Sequence, residues 1–235
     1  MILKPGQFFF AGRDSLDLGL MIQHRPLRQA ASRNFSTVSA SNRSGLTYRY
    51  RDTFANTKLS LDLVFLQPPS KSQVDDVADL FDVKGYVDFT PYWDEHFTYK
   101  VAVELAPEFT NTREMVRAVT SKLDLSVYPY KYIDFGLVSS SFGKSATLTN
   151  PFRYPALPVI TLQGSGDMTL TINSQVFSFV GVKPGGILID SDEISTNQPA
   201  AMVGLDYPVL QPGINTISTT GTGMAIKPNY VRKVT

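Results

Sequence analysis

A chain without cysteine must draw any chemistry from its two histidines, its carboxylates and its serines. His24 and His96 lie in unrelated segments, and neither has a second ligand at metal spacing, so they read as ordinary surface or core histidines. Asp190, Asp192 and Glu193 are the densest carboxylates beside a strand-like run. They could hold Ca²⁺, but the glycine-punctuated loop of known calcium motifs is missing, and a solvated turn is the favoured reading. Ser141-Phe142-Gly143-Lys144 matches the S-x-x-K pattern of penicillin-recognising enzymes, yet its companion motifs are absent, so the match reads as chance. Gly164-Ser165-Gly166 and Gly221-Thr222-Gly223 have neither the third glycine nor the strand-to-helix setting of a phosphate loop. No catalytic residue, metal or cofactor is expected, and the chain reads as a non-enzyme.

The arginines are more informative. Residues 24–51 hold six of them (25, 28, 33, 43, 49 and 51) and no Asp or Glu, with Asp52 following at once. Within this stretch "SASNRSGLTYRY" (39–50) predicts a hairpin with its tip at Asn42 to Gly45. On an extended ribbon Arg43, Arg49 and Arg51 could track phosphates, with Tyr48 and Tyr50 interleaved as stacking groups. The favoured reading is a solvated face, or pairing with acidic groups of a neighbouring subunit. The net charge of +1 argues against attraction of the whole chain to nucleic acid.

The elements that must carry this ribbon are mainly β. At 235 residues the chain is one large β domain or two ordinary ones. Its 43% hydrophobic content can build real cores, and 18% charged is low. "FFFAGRDSLDLGLMI" (8–22) predicts two short strands around a Gly12-Arg13-Asp14 turn. "TKLSLDLVFLQPP" places Leu59, Leu61, Leu63 and Phe65 on one face before Pro68-Pro69 ends the strand. "SKSQVDDVADLFDVKG" is the one convincing helix: Ser72 as cap with Asp75 three residues on, a stripe of Val74, Val77 and Phe81 with Leu80 beside it, and Gly85 past the end. Being short, it must lean on a sheet.

"FTYKVAVEL" (97–105) and "LDLSVYPYKYIDF" (123–135) are β-rich, and the intervening "NTREMVRAVTSK" suits a helix or a strand-turn. Residues 139–150, rich in serine, threonine and glycine, read as a linker. Beyond it, Ile160 and Leu162 alternate with Thr161 and Gln163, and after a glycine break Met168, Leu170 and Ile172 alternate with Thr169, Thr171 and Asn173. That predicts a hairpin with one buried face and one uncharged, hydroxyl- and amide-rich face. Short strands at intervals of 8–12 residues then predict a β-sandwich. The opening "MILKPGQFFFAGRDS" is too short in its apolar run for a secretory leader, and no stretch nears 18 apolar residues, so a cytoplasm, or an assembly built in one, is expected.

Taken together, these pieces resemble the distal tail protein of long-tailed, non-contractile phages. The resemblance rests on "FFFAGRDSLDLGLMI", the "NRSGLTYRYRDTFANTKLSLDL" hairpin and strand, the helix at 72–82, "YKVAVE" (99–104) and "VYPYKY" (127–132). It continues through "NPFRYPALPVITLQGSGDMTLTINSQ", "ILIDSDEI", "YPVLQPGINTIS" and the closing "IKPNYVRKV". Two positions depart from the family pattern: Asn42-Arg43-Ser44-Gly45 stands for a Gly-Arg-acidic-Gly turn, and Leu80-Phe81 for a tryptophan near the helix end.

The resemblance implies a ring-forming N-terminal β domain over 1–140, with one short α-helix and a β-hairpin, and a galectin-like β-sandwich over 141–235. The last strand is expected to return to the first domain. It further implies a homo-hexameric ring at the virion's tail tip, assembled in the host bacterial cytoplasm. That ring joins the major tail (tube) protein to the tail-associated protein and offers a platform for receptor-binding proteins. DNA would only pass through its channel, and nothing inserts in a membrane. The subunit interface is expected at Arg43, Gly45, Tyr48, Arg49, Tyr50 and Arg51. The rival reading is a carbohydrate-binding β-sandwich module, which predicts a glycan-binding monomer. Its weakness is that Trp93, the one tryptophan, lies outside the C-terminal half.

Overall fold

The computed structural model describes residues 2–39, 41–42, 44–111 and 119–235. The chain is mainly β and forms two compact units, Met1–Lys131 with Lys233–Thr235, and Tyr132–Arg232.

The first unit opens with β1 (Phe8–Phe10) and β2 (Arg13–Asp14). Phe10 opposes Arg13, so the turn is the two residues Ala11-Gly12, both at positive φ, rather than Gly12-Arg13-Asp14. Two successive left-handed residues match the right-handed strand twist in so short a connection. A 3₁₀ turn follows, then β3 (Leu20–Ile22), β4 (Arg33–Val38), β5 (Thr47–Phe54), β6 (Thr57–Phe65), α1 (Lys71–Phe81), β7 (Val87–Pro91), β8 (Phe97–Asn111) and β9 (Val119–Ile133). The sheet runs β2-β1-β7-β8-β9-β6-β3, and β20 (Val231–Lys233), the last strand of the chain, also pairs with β9. Residues 112–118, the centre of the stretch read as helix or strand-turn, lie outside the described residues.

β6 shows how sequence builds this core. Thr57, Leu59, Leu61, Leu63 and Phe65 are buried while most of the residues between them are exposed, as the period of two predicts. Leu59, Leu61, Leu63 and Phe65 join Phe8, Phe10, Phe89, Leu123 and Leu125 in one apolar cluster, which α1 covers with Val77, Leu80 and Phe81. The helix cap is Ser70, not Ser72. Ser70 Oγ accepts from Gln73 N at 3.3 Å, and Gln73 Oε1 accepts from Ser70 N at 2.9 Å. Both serines satisfy the capping-box spacing, but the chain leaving Pro68-Pro69 turns helical one residue after Ser70.

In the second unit, residues 139–150 are not a linker. They supply β10 (Ser140–Phe142) and β11 (Ser145–Asn150), because alternating Ala146 and Leu148 can tuck inward between hydroxyls. Next come β12 (Val159–Gln163), β13 (Gly166–Ile172), β14 (Gln175–Val182), β15 (Ile187–Asp190) and β16 (Ser195–Thr196). The last three of this unit are β17 (Met202–Val203), β18 (Gly213–Thr219) and β19 (Gly223–Lys227). They form two five-stranded sheets, β10-β19-β12-β15-β16 and β11-β18-β13-β14-β17, sharing one apolar core: a β-sandwich.

β12 and β13 therefore do not form the expected hairpin. They sit in opposite sheets, with Ile160 and Leu162 reaching the core from one side and Met168, Leu170 and Ile172 from the other. A period of two reports an inner face, and it is the same whether the next strand pairs alongside or crosses the sandwich. The hairpin is β13–β14, turning at Asn173-Ser174 with Asn173 at φ 54°. One glycine is obligatory: a Cβ at Gly186 (φ +87°) would lie 2.0 Å from the Leu162 carbonyl oxygen.

Candidate functional site

The arginine–tyrosine stretch folds as a separate two-stranded ribbon, β4 against β5, with Phe35 opposite Tyr50, Ser36 opposite Arg49 and Thr37 opposite Tyr48. Past β4 and before β5, Gly45 lies at φ +88° in open space. Alternation sorts the side chains. Phe35, Thr37, Tyr48 and Tyr50 share one face, and Ser36, Val38, Arg49 and Arg51 the other.

The first face is an aromatic cluster in water. Phe35 lies 5.4 Å from Tyr48 and 5.9 Å from Tyr50, ring centroid to centroid, and all three rings are at least half exposed. At the base Arg33 pairs with Asp52 at 2.7 Å and covers the Phe54 ring at 5.1 Å, while Phe54 meets Tyr130 edge-on. Among the described residues Arg49 and Arg51 form no ion pair, and both are exposed. Arg43, expected at the tip, lies outside the described residues. A two-stranded ribbon with neither face packed is marginal in water, and exposed aromatics on it are the kind of area that a protein partner covers. Phe35 was missed in the sequence; its alternation with Thr37 was the available clue.

A charged group inside the first unit was also not foreseen. Lys131, buried in β9, pairs with Asp94, which also accepts from the Tyr99 hydroxyl at 2.5 Å. The Lys131 ammonium covers the Phe97 ring at 4.4 Å. Burial, then the hydrogen bond to Asp94 and that carboxylate's charge, push the Tyr99 phenol far above its ordinary range. Such a group fixes the turn between β7 and β8 to β9 rather than offering a reactive atom to solvent.

The remaining candidates do not converge. His96 sits 4.0 Å from Glu95, far in sequence from His24. Asp190 Oδ1 accepts from the backbone N–H of Asp192 and of Glu193, each at 3.0 Å, and so closes a turn. Ser141 and Lys144 fall in and after β10, an edge strand. Trp93 packs edge-on against Phe89 and Tyr92 at the first unit's core. The depression on the outer face of β11, β18 and β13 is lined by Ser145, Thr147, Thr171, Asn173, Thr216 and Ser218, with no aromatic ring.

The architecture is thus that of a mainly β protein with a one-helix first unit, a projecting ribbon and a β-sandwich. No protein-family model matches the chain, and no curated protein does. Among solved structures its fold is similar to the crystal structure of the SPP1 Dit (gp 19.1) protein, described as a paradigm of hub adsorption apparatus in phages infecting Gram-positive hosts. The TM-score is 0.69 at 14% identity, over 95% of this chain and 98% of that one. At that identity the likeness is one of fold.

Proposed function

We propose that this chain is a structural protein of a phage tail tip. Its first unit, Met1–Lys131 with Lys233–Thr235, forms a ring of six copies. The ring joins the tail tube protein to the tail-associated protein and carries host-adsorption proteins on the galectin-like second unit. The observation that supports this most is the end-to-end likeness of fold to a hub adsorption protein, covering 95% of this chain. The ribbon supplies what a ring needs. In a head-to-tail ring each subunit offers two different surfaces, and a projecting strand pair with Phe35, Tyr48 and Tyr50 exposed is suited to lie across the next subunit. Arg49 and Arg51, on the opposite face, are then free to meet carboxylates of that neighbour or the DNA channel. The protein is proposed as a virion component with no catalytic activity of its own.

Negative-stain images of the purified protein test this reading. Six-fold rings with an open centre are expected, formed without any glycan. A monomer retained on a glycan column would replace the reading with that of a carbohydrate-binding module.

A further inference from the structure

β9 carries a lysine where its own period calls for an apolar side chain. Leu123, Leu125 and Val127 are buried in the core, and Lys131 follows on the same phase, 4% exposed. Its ammonium lies between aromatic rings, 4.4 Å from the Phe97 centroid and 5.5 Å from that of Tyr99. Asp94 sits in the turn between β7 and β8. Its Oδ2 accepts from both Lys131 Nζ and the Tyr99 hydroxyl, the latter at 2.5 Å, and Oδ1 takes no part in either bond. An ion pair taken out of water loses hydration on both of its charges, whereas a neutral amide in the same place loses far less. The three groups also hold the parts of an amide-forming reaction. They are a nucleophilic nitrogen, an acyl carbon one bond beyond the oxygen it touches, and a hydroxyl donor on that oxygen.

We propose that Lys131 Nζ and Asp94 Cγ condense into an amide, an isopeptide crosslink between the β7–β8 turn and β9. One ammonium proton passes to the carboxylate, and Nζ attacks Cγ. The Cγ–Oδ1 bond then breaks, and Oδ1 departs as water with two of the protons that the ammonium carried. Oδ2 stays as the amide oxygen, and atoms and charge balance with water as the one by-product. The Tyr99 hydroxyl bonds Oδ2 throughout and meets the negative charge that grows there as Nζ attacks. Burial keeps that phenol protonated, and therefore a donor. Fixed geometry replaces the encounter of two solutes, a large advantage over the same groups in water. The bond ties β9 to the turn before β8 across a separation of 37 residues, so this part of the sheet cannot come apart by extension of the chain. It lies within the first unit and is independent of the proposed ring.

The test is the denatured intact mass of the full chain beside those of Lys131→Arg, Asp94→Ala and Tyr99→Phe. The wild type is expected one water below the mass of its sequence, and Lys131→Arg and Asp94→Ala at the full mass of theirs. Trypsin should release residues 85–100 joined to 123–144, because an acylated Lys131 is not cut. Arginine keeps a cation beside Asp94 without forming the amide. A water lost elsewhere, as in an aspartyl succinimide, would therefore persist in Lys131→Arg and overturn the assignment. Tyr99→Phe should link roughly 100-fold more slowly, the cost of one oxyanion donor, and so show a smaller linked fraction at a fixed time after synthesis. Equal fractions would overturn the role given to Tyr99. A wild-type chain at full mass, releasing residues 123–131 as a free peptide, would overturn the crosslink, and that readout stands even where a variant fails to fold.

Discussion

The rings of Phe10 and Phe81 meet edge to face with centroids 4.8 Å apart, so the end of α1 is fastened to β1, an early strand of the same sheet. Phe81 is 2% exposed and Phe10 is fully buried. Phe81→Ala should cost about 3–5 kcal/mol, the range for deleting a buried phenylalanine. Urea unfolding checks it; an unshifted midpoint would mean that α1 contributes nothing to the core.

The helix cap offers a sharper comparison. Ser70→Ala removes the acceptor for Gln73 N and should cost about 1 kcal/mol. Ser72→Ala, two residues inside, should change stability by less than about 0.5 kcal/mol. Equal losses for the two variants would return the cap to Ser72.

Most of what is periodic in this protein was legible in its sequence. The alternation of β6 and the stripe of α1 follow from which residues recur on one face, and the hairpin within 39–50 from the polar, glycine-bearing break in that stretch. What was not legible depended on contacts between distant segments. Gly164 and Gly166 looked like a hairpin turn, yet Thr161 and Leu162 pair with Ala225 and Met224 of β19 while Leu170 and Thr171 pair with β18, a choice made by the whole sandwich. Ser140–Asn150 looked like a linker because short polar strands at a sheet edge carry few apolar residues to announce them. The Lys131–Asp94–Tyr99 group was invisible because Lys131 lies 37 residues from Asp94 and each member looks like an ordinary surface residue. The ribbon's residues Gly45, Tyr48, Arg49, Tyr50 and Arg51 fall on one hairpin, and whether they meet a neighbouring subunit is a matter for the experiment below.

Tyr99 carries a pH dependence with a definite sign. Its folded pKa is raised above the unfolded value, so the protonated phenol contributes stability that is fully present below about pH 10, the ordinary tyrosine value, and is lost as pH climbs above it. Tyr99→Phe should be less stable than wild type near neutrality, by about 1 kcal/mol for the lost bond to Asp94. Its stability should then fall less steeply with alkali. Urea midpoints taken at about pH 8 and about pH 11 measure both effects; parallel losses in the two proteins would mean that Tyr99 ionises as freely folded as unfolded.

The central claim is that six copies close into a ring clasped by the ribbon. Its most direct test is the native mass of the intact protein beside that of a variant lacking residues 40–48, both examined over a range of concentration and salt. The account predicts an intact species at six times the protomer mass. The folded deletion variant should fall to the mass of one protomer. A deletion variant that keeps the full assembly would contradict the clasp, and an intact protein that stays monomeric under every condition would contradict a ring that forms from this chain alone.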